Sequence, residues 1–366
     1  MIDISERQII DSLLELVRLG IGHQTFSPIK DVDWTHLFRL SQRQGITAIV
    51  LDGVQAMFEN DPDSTCQNIE PELKLRWITT VYNNYERAYL RYKASIGRLA
   101  DFYNAHGFKL MIIKGYGLSL NYPRPDHRPC GDIDTWAFGD YKSVDEALHR
   151  EFEIRIDSSH HHHTVYEWEG IGVENHYDFV NVHYGHRNDE LELIFKELAK
   201  DDTYFTEIDG CKVYLPQPNL NALFLLRHTM LHFASTSMTI RQLLDWGFFV
   251  KKYFKDVDWD WLQVILRYFD MTNFFDLVNA ICVEDLGFDA TEYPYINVDE
   301  NLKKRVLSDM IFPEFNEREP KEFIPRYLYK LRRRRANLWK RKICYNDVGL
   351  GTFFRSVLSH FIRPRG

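Results

Sequence analysis

The stretch between residues 108 and 138 constrains the fold of this chain more than any other. It begins with an apolar run at 110–113 that ends in Lys114 and Gly115, and an apolar run closed by glycine predicts a buried strand that enters a turn. Only a short helix can follow, because the two prolines that come next cannot donate to the backbone hydrogen-bond ladder. A second strand is predicted at 131–138.

Two carboxylates alternate with an apolar residue in this second strand. Asp132 and Asp134 project from one face while Ile133 points into the core, because successive side chains of a strand lie on opposite faces. Adjacent carboxylates repel each other unless a divalent cation neutralises them, and Mg²⁺ is usually held by one or two carboxylates together with substrate phosphates. Free backbone N–H groups at the turn after Lys114 favour phosphate. The segment therefore predicts a site for a nucleoside triphosphate with Mg²⁺ or Mn²⁺.

A family resemblance rests on these same residues. Lys114 with Gly115, the basic Arg128 and the Gly-Asp-Ile-Asp run at 131–134 resemble the signature of an uncharacterised bacterial nucleotidyltransferase family in the DNA polymerase β-like superfamily. The similarity extends over most of the chain, although the superfamily usually has Gly-Ser where this chain has Lys-Gly. The resemblance implies an α+β fold, in which a small mixed β-sheet forms the nucleotidyltransferase core between N-terminal and C-terminal helical regions.

The chain is predicted to divide into three regions. Residues 1–107 have apolar residues at helical spacing and include one very long helix that begins at Pro71. Residues 108–189 form the core. Residues 190–366 are again mostly helical and end in a basic amphipathic tail.

Several elements are predicted inside the core after the second strand. A helix is expected at 141–150 and a strand at 152–156. Two further strand-like runs, 164–168 and 171–182, flank Glu169 and Gly170, which predicts a β-hairpin.

The second strand of this hairpin is expected to supply a third carboxylate. The resemblance implies that an acidic residue from a later strand joins Asp132 and Asp134, and Glu-Asn-His-Tyr at 174–177 matches the pattern of the family. Glu174 is therefore the favoured residue. Asp178 lies on the same face of the strand by period-two spacing and remains an alternative.

The resemblance also implies a role for each residue of the signature. The catalytic residues and metal ligands would be Asp132, Asp134 and Glu174. The residues that contact the nucleotide would be Lys114, Gly115, Arg128, Gly131 and His176. One or two Mg²⁺ ions would bridge to the phosphates of an NTP, and Glu174 would orient or deprotonate the hydroxyl group of the acceptor.

Histidines are concentrated at two further places. The tract at 160–163 would alternate in direction along a strand, so at most two of its side chains share a metal, and a polar loop is the favoured interpretation. His228 and His232 have the four-residue spacing of zinc ligands on a helix, but the sequence shows no third ligand. A packed or site-lining pair is therefore favoured.

Arg241 and Asp245 have the same four-residue spacing on the next predicted helix. An intrahelical ion pair worth ~0.3–0.5 kcal/mol is the simplest interpretation. Because both helices resemble segments of the family, His228, Arg241 and Asp245 are also candidate residues lining the cleft.

Composition and charge restrict the class of protein. The formal net charge of −8 argues against general nucleic-acid binding. The five cysteines are scattered and have no C-x-x-C spacing, which indicates a reducing compartment, and neither a signal peptide nor a membrane span is predicted. We therefore expect a cytoplasmic protein.

The C-terminal tail combines a basic segment at 332–342 with an apolar helical stripe at 353–362. A terminal helix docked on its own bundle is favoured. A helix that binds a membrane surface or a partner protein remains the alternative.

The sequence as a whole favours a metal-dependent nucleotidyltransferase that transfers a nucleoside monophosphate from an NTP to a hydroxyl acceptor and releases pyrophosphate. The acceptor would be a small molecule, a sugar or a protein. One alternative is a glycosyltransferase that uses Asp-x-Asp to hold a metal and a nucleotide sugar, although the helical first hundred residues leave no Rossmann-like half upstream of Asp132. The other is a catalytically silent binding or scaffold protein on the same fold.

Overall fold

The computed structural model describes residues 4–24, 29, 32–60, 68–182, 187–294 and 298–345. Helices surround one mixed six-stranded sheet, and this architecture confirms the predicted α+β class.

The N-terminal region is helical, as predicted. It contains α1 (Ile4–Gly20), α2 (Trp34–Gln44) and α3 (Thr47–Asn60). The side chain of Asp33 caps the start of α2 by accepting a hydrogen bond from the backbone N–H of His36. The predicted long helix is present as α4 (Pro71–Val81), a π-helical segment (Tyr82–Glu86) and α5 (Arg87–Ala105).

The sheet has the strand order β3-β4-β2-β1-β6-β5. Its central pairs are β1 (Met111–Ile112) antiparallel to β2 (Ile133–Trp136), and β2 parallel to β4 (Ile171–His176). The predicted hairpin is confirmed, with β3 (His163–Trp168) antiparallel to β4. On the other side of the sheet, β6 (Cys211–Tyr214) is parallel to β1 and antiparallel to β5 (Phe205–Ile208).

Three helices complete this central part of the chain. A single helical turn, α6 (Tyr116–Ser119), follows β1, and α7 (Tyr141–Phe152) and α8 (Asn188–Leu198) follow β2 and β4.

The structure corrects three expectations for this region. The prediction of a strand at 152–156 is wrong, because α7 extends to Phe152 and residues 153–156 have no regular structure. The next residue, Asp157, forms an isolated bridge with Val165 of β3. The second strand of the hairpin ends at His176 rather than at residue 182. Strands β5 and β6 were not predicted, and they extend the sheet beyond residue 189.

The two faces of the sheet are covered differently. Ile133, Val173 and Tyr166 pack with residues of α5 and α7 in one apolar cluster. On the opposite face Trp136 packs against Phe179, with ring centroids 4.6 Å apart, and Phe179 continues to aromatic residues of α8 and α9 (Pro218–Ser235). Asp134 lies on this second face, toward the C-terminal helices.

The remaining C-terminal helices are α10 (Ile240–Tyr253), α11 (Trp259–Tyr268), α12 (Thr272–Ala280), α13 (Glu300–Ile311), α14 (Phe323–Ala336) and α15 (Leu338–Tyr345). The basic segment at 332–342 falls within the last two of these helices. Lys340 is buried there and pairs with Asp309 at 2.5 Å. The apolar stripe predicted at 353–362 lies outside the described residues. Among the helices that the structure describes, none has the length and hydrophobicity that a membrane span requires.

Candidate functional site

The parallel pairing of β2 with β4 brings two acidic residues together. Asp134 and Glu174 are cross-strand partners in this register, so their side chains leave the sheet side by side. Asp134 is 6% exposed, whereas Glu174 is partly open to solvent. The neighbouring Thr135 and Asn175 face the other side of the sheet, where Asn175 donates to Asp145 of α7.

A lysine from the turn after β1 neutralises the buried carboxylate. The Lys114 ammonium lies 2.5 Å from the Asp134 carboxylate. The turn is held against β2 by a hydrogen bond of 2.9 Å from the Ile113 N–H to the Asp134 carbonyl. Burial by itself would raise the pKa of Asp134, but Lys114 and His176 outweigh it and hold this pKa well below its usual value.

His176 contacts both carboxylates from the last position of β4. Its Nε2 lies 3.3 Å from Asp134 and 3.5 Å from Glu174, and its Nδ1 lies 3.3 Å from the carbonyl of Asp178. Burial lowers the pKa of His176, but hydrogen bonding to the two carboxylates has the larger combined effect and raises it. The hydrogen bond with His176 in turn lowers the pKa of Glu174. The ligand atoms of Asp134, Glu174 and His176 all lie within 4.8 Å of one another.

Asp132 lies immediately before β2 at the exposed end of the same face. A Cβ atom added at Gly172 would lie only 2.7 Å from a carboxylate oxygen of Asp132, so glycine at position 172 leaves room for that side chain. Partial burial and the negative charges of Glu174 and Asp134 raise the pKa of Asp132. The preceding Gly131 is exposed, and no atom of the described residues lies within 4 Å of the position that a Cβ would take there.

Gly115 shapes the turn that carries Lys114. Its φ of +55° lies in the left-handed region, and an added Cβ would lie 2.5 Å from the hydroxyl of Tyr92. Tyr92 donates that hydroxyl to the carbonyl of Asp132 at 2.9 Å. Tyr92 thus links the Gly115 turn to the start of β2, a role that no local feature of the sequence indicated.

Arg128 holds the Gly115 turn in place through hydrogen bonds. Its guanidinium donates to both carboxylate oxygens of Asp245, at 2.7 and 3.0 Å, and to the carbonyls of Gly115 and Pro129, each at 3.1 Å. Arg128 is only 6% exposed, so its charge is directed into the protein. The structure therefore gives Arg128 contacts that position the Gly115 turn, and its contact with a phosphate stays a prediction.

Asp245 also accepts a hydrogen bond from Tyr122 at 2.8 Å. The intrahelical pair considered between Arg241 and Asp245 is not formed, because Arg128 and Tyr122 bind this carboxylate instead. Among the described residues, the buried Nε of Arg241 has no hydrogen-bond partner.

Asp178, the alternative third carboxylate, lies away from Asp134. It follows the end of β4, and its side chain pairs with Lys196 of α8. Glu174 is therefore the acidic residue of this segment that the sheet brings beside Asp134.

Further histidine side chains lie at or near the carboxylates. His163 is buried at the first position of β3, directly opposite His176. The interpretation of the 160–163 tract as a polar loop is therefore wrong for His163. On α9 the Nε2 atoms of His228 and His232 lie 3.2 Å apart, and burial followed by the charge of Lys114 lowers the pKa of both residues. This agrees with a pair that lines the site on the side of Lys114.

Comparison with known proteins supports a nucleotidyltransferase. No curated protein matches the chain. A solved structure, an antigenic nucleotidyltransferase-like protein from Paracoccidioides brasiliensis, is similar with 15% identity and a TM-score of 0.31, covering 43% of this chain and 75% of that one. The family model described as "uncharacterised nucleotidyltransferase" matches residues 30–287, which include the carboxylates, Lys114, Arg128 and the histidines of the candidate site. The chain therefore belongs to this nucleotidyltransferase family.

Proposed function

We propose that this protein is a metal-dependent nucleotidyltransferase, which transfers a nucleoside monophosphate from an NTP to a hydroxyl acceptor and releases pyrophosphate. The observation that carries the proposal is the register of β2 and β4, because it sets Asp134 beside Glu174 with Lys114 and His176 against the same carboxylates. Membership of the family supports the class of reaction.

The donor set fits a hard divalent cation such as Mg²⁺ or Mn²⁺. Carboxylate oxygens are the protein ligands that these ions prefer, and Asp132, Asp134 and Glu174 supply them on one face of the sheet. Partial burial, and after it the negative charges of Glu174 and Asp134, raises the pKa of Asp132, and a bound cation would offset the part that comes from those charges. When bound, the ion would supply charge neutralisation for the phosphates and polarise the α-phosphate for attack.

Lys114 and the Gly115 turn would bind the phosphates that leave. The Lys114 ammonium already lies beside the Asp134 carboxylate, and the Lys114 side chain is partly exposed. Moving it from Asp134 toward a β- or γ-phosphate requires only a rotamer change of a flexible side chain. Arg128 would contribute by fixing the Gly115 carbonyl, and so the direction of the turn, rather than by touching the nucleotide.

Glu174 is the best-placed base for the acceptor hydroxyl. Its lowered pKa keeps it ionised at neutral pH, and its partial exposure leaves room for an acceptor beside it. In the reaction the acceptor oxygen forms a bond to the α-phosphorus, and the bond from that phosphorus to the pyrophosphate oxygen breaks. The proton of the hydroxyl passes to Glu174 and from there to solvent.

The acceptor is proposed to be a small molecule, a sugar or a protein, because the net charge of −8 disfavours nucleic acid. A cytoplasmic location is part of the proposal. It is supported by Cys130, Cys211, Cys282 and Cys344, which are free thiols in the structure.

The proposal is tested by incubating the purified protein with each NTP labelled at the α-phosphate, Mg²⁺ or Mn²⁺ and a cell extract. Label is expected to move to an acceptor as pyrophosphate is released. Asp134→Asn and Glu174→Gln should each reduce transfer by about 100-fold or more, since each removes charge aimed at the reacting phosphate. Asp140→Asn is the matched control, because Asp140 is an exposed carboxylate at the start of α7 that makes no side-chain capping bond.

Three results would overturn the proposal. Unchanged transfer in the Asp134→Asn protein would remove the carboxylates from the reaction. Metal-dependent binding of nucleotide diphosphate sugars without pyrophosphate release from any NTP would favour glycosyl transfer, and calorimetry without binding of any NTP would favour a silent scaffold.

A further inference from the structure

A group of three histidines lies beside the carboxylates. His163, at the start of β3, is directly opposite His176 at the end of β4, and His162 is next to it in the chain. One nitrogen from each of the three rings lies within 4.8 Å of the others. The ring centroids of His162 and His163 are 4.3 Å apart, and those of His163 and His176 are 5.1 Å apart.

The backbone fixes this grouping. The antiparallel pairing of β3 and β4 sets the positions of His163 and His176. The carbonyl of His162 accepts hydrogen bonds from the N–H groups of Tyr177 and Asp178, at 3.0 and 3.1 Å, so the residue before the strand is also held in place. Three imidazoles are thus presented by ordered backbone, as a metal site requires.

Two of these rings each have a buried nitrogen without a hydrogen-bond partner in the described part of the chain. The Nδ1 atoms of His162 and His163 are buried and have no hydrogen-bond partner among the described residues. Buried polar atoms are normally paired, and an unpaired one calls for an explanation. A neutral imidazole ring has a lone pair on one nitrogen that can bind a metal ion.

We propose that His162, His163 and His176 bind a transition-metal ion of the Zn²⁺ class, at a site next to that of the carboxylates but different in its ligands. Imidazole nitrogen suits Zn²⁺ and Co²⁺, whereas Mg²⁺ selects oxygen. Three histidines leave one tetrahedral position open. Water or Glu174 fills it, and the Glu174 carboxylate lies 3.9 Å from His163 Nε2.

The shared residue gives this site a consequence for activity, which rests on the proposed function. His176 hydrogen-bonds Asp134 and Glu174 when it is not bound to metal. A Zn²⁺ ion on its ring would replace those hydrogen bonds and change the carboxylates that transfer depends on. We therefore expect micromolar Zn²⁺ to inhibit Mg²⁺-dependent transfer, on the order of tenfold.

The test is a titration of the full-length protein, carrying no affinity tag, with Co²⁺ in excess Mg²⁺, followed by visible absorption. Excess Mg²⁺ occupies oxygen sites, so a tetrahedral Co²⁺ spectrum reports nitrogen ligands. We expect one equivalent of Co²⁺ to bind and Zn²⁺ to displace it. His162→Ala and His163→Gln should each weaken Co²⁺ binding by about tenfold or more, whereas His149→Ala should leave it unchanged. His149 is an exposed histidine of α7 whose Nδ1 lies within hydrogen-bond distance of the Ile154 carbonyl.

Absence of a tetrahedral spectrum in the wild-type protein would overturn the proposal, as would equal Co²⁺ affinity in the His162→Ala and wild-type proteins. Because His162 precedes the strand, its alanine variant tests the site even if His163→Gln fails to fold. Asp132→Asn separates this proposal from the previous one. It should retain Co²⁺ binding to the histidines, and its loss of nucleotidyl transfer tests the carboxylate site alone.

Discussion

Two groups of oppositely charged residues contact the Gly115 turn or lie beside it, and they differ in how completely their polar atoms are paired. In the first group, Arg128 and Asp245 are both buried, and nearly every polar atom of the pair has a hydrogen-bond partner. In the second group, Asp134 and Glu174 have Lys114 and His176 as partners, yet the pKa of the nearby Asp132 is still raised. The first group is saturated with partners and holds the turn in place, whereas the second is the group that we propose binds a cation.

The largest effect is expected from breaking the saturated group. Arg128→Ala leaves the Asp245 carboxylate buried without its cation and should destabilise the fold by about 3–5 kcal/mol. Arg98→Ala, the control, removes an exposed pair with Glu169 and should cost less than about 1 kcal/mol. Chemical denaturation measures both. Equal losses of stability in the two variants would show that the buried pair of Arg128 stabilises the fold no more than an exposed pair does.

Replacing both partners should restore most of this stability. In the double variant Arg128→Met/Asp245→Leu no buried charge is left unpaired, so about 2 kcal/mol or more of the single-variant loss should return. The remainder reflects the Gly115 carbonyl and the Tyr122 hydroxyl, which lose their partners. The same denaturation experiment applies, and a double variant no more stable than Arg128→Ala would show that the charge itself was not the cause.

The turn between the two groups should be sensitive to a single methyl group. Gly115→Ala introduces strain at a positive φ and a contact of 2.5 Å with the Tyr92 hydroxyl, which together should cost about 1–2 kcal/mol. Gly131→Ala, where no atom lies near the added methyl group, should change stability by less than about 0.5 kcal/mol. Thermal unfolding of both proteins checks this. A neutral Gly115→Ala would mean that the turn relaxes freely.

The smallest expected effect is a pH dependence of stability, and it comes from His176 in the second group. The folded protein raises the pKa of His176 above 6.5, so the stabilisation that this residue gives is fully present below pH 6.5 and is lost as pH rises through the higher folded value. The difference in melting temperature between wild-type protein and His176→Gln, measured with EDTA, should therefore decrease above pH 6.5. A difference that is constant from pH 5 to pH 9 would show that His176 does not gain a proton on folding.

The sequence was sufficient where the signal was local. A strand, a glycine turn and an alternating pair of carboxylates gave β1, the Gly115 turn and β2, and the turn at Glu169 and Gly170 gave the β3–β4 hairpin. The family resemblance indicated Glu174, whereas period two brought the alternative Asp178 into consideration. These features are written within a few residues of each other, so backbone geometry alone relates them.

Long-range pairing was not readable in the same way. Arg128 and Asp245 are 117 positions apart, so no local sequence pattern near either residue predicts their contact. Asp178 keeps period-two spacing with Glu174 in sequence, but the strand ends at His176 before the alternation reaches it. Strands β5 and β6 are four residues each and show little alternation of burial, which left them without a clear pattern. The histidine tract was underestimated because its partner, His176, comes from the other strand of the hairpin.

The hairpin of β3 and β4 carries a further implication for how this chain tolerates insertions. Glu174 and His176 reach Asp134 because the register of β2 and β4 places all three side chains on the same face of the sheet. One residue inserted between Gly172 and Glu174 would rotate both side chains to the α7 side and bury them among apolar neighbours. One residue added at the exposed bend of Glu169 and Gly170 would leave the orientation of these side chains unchanged, so we expect this chain to accept an insertion at the bend but not within the strand.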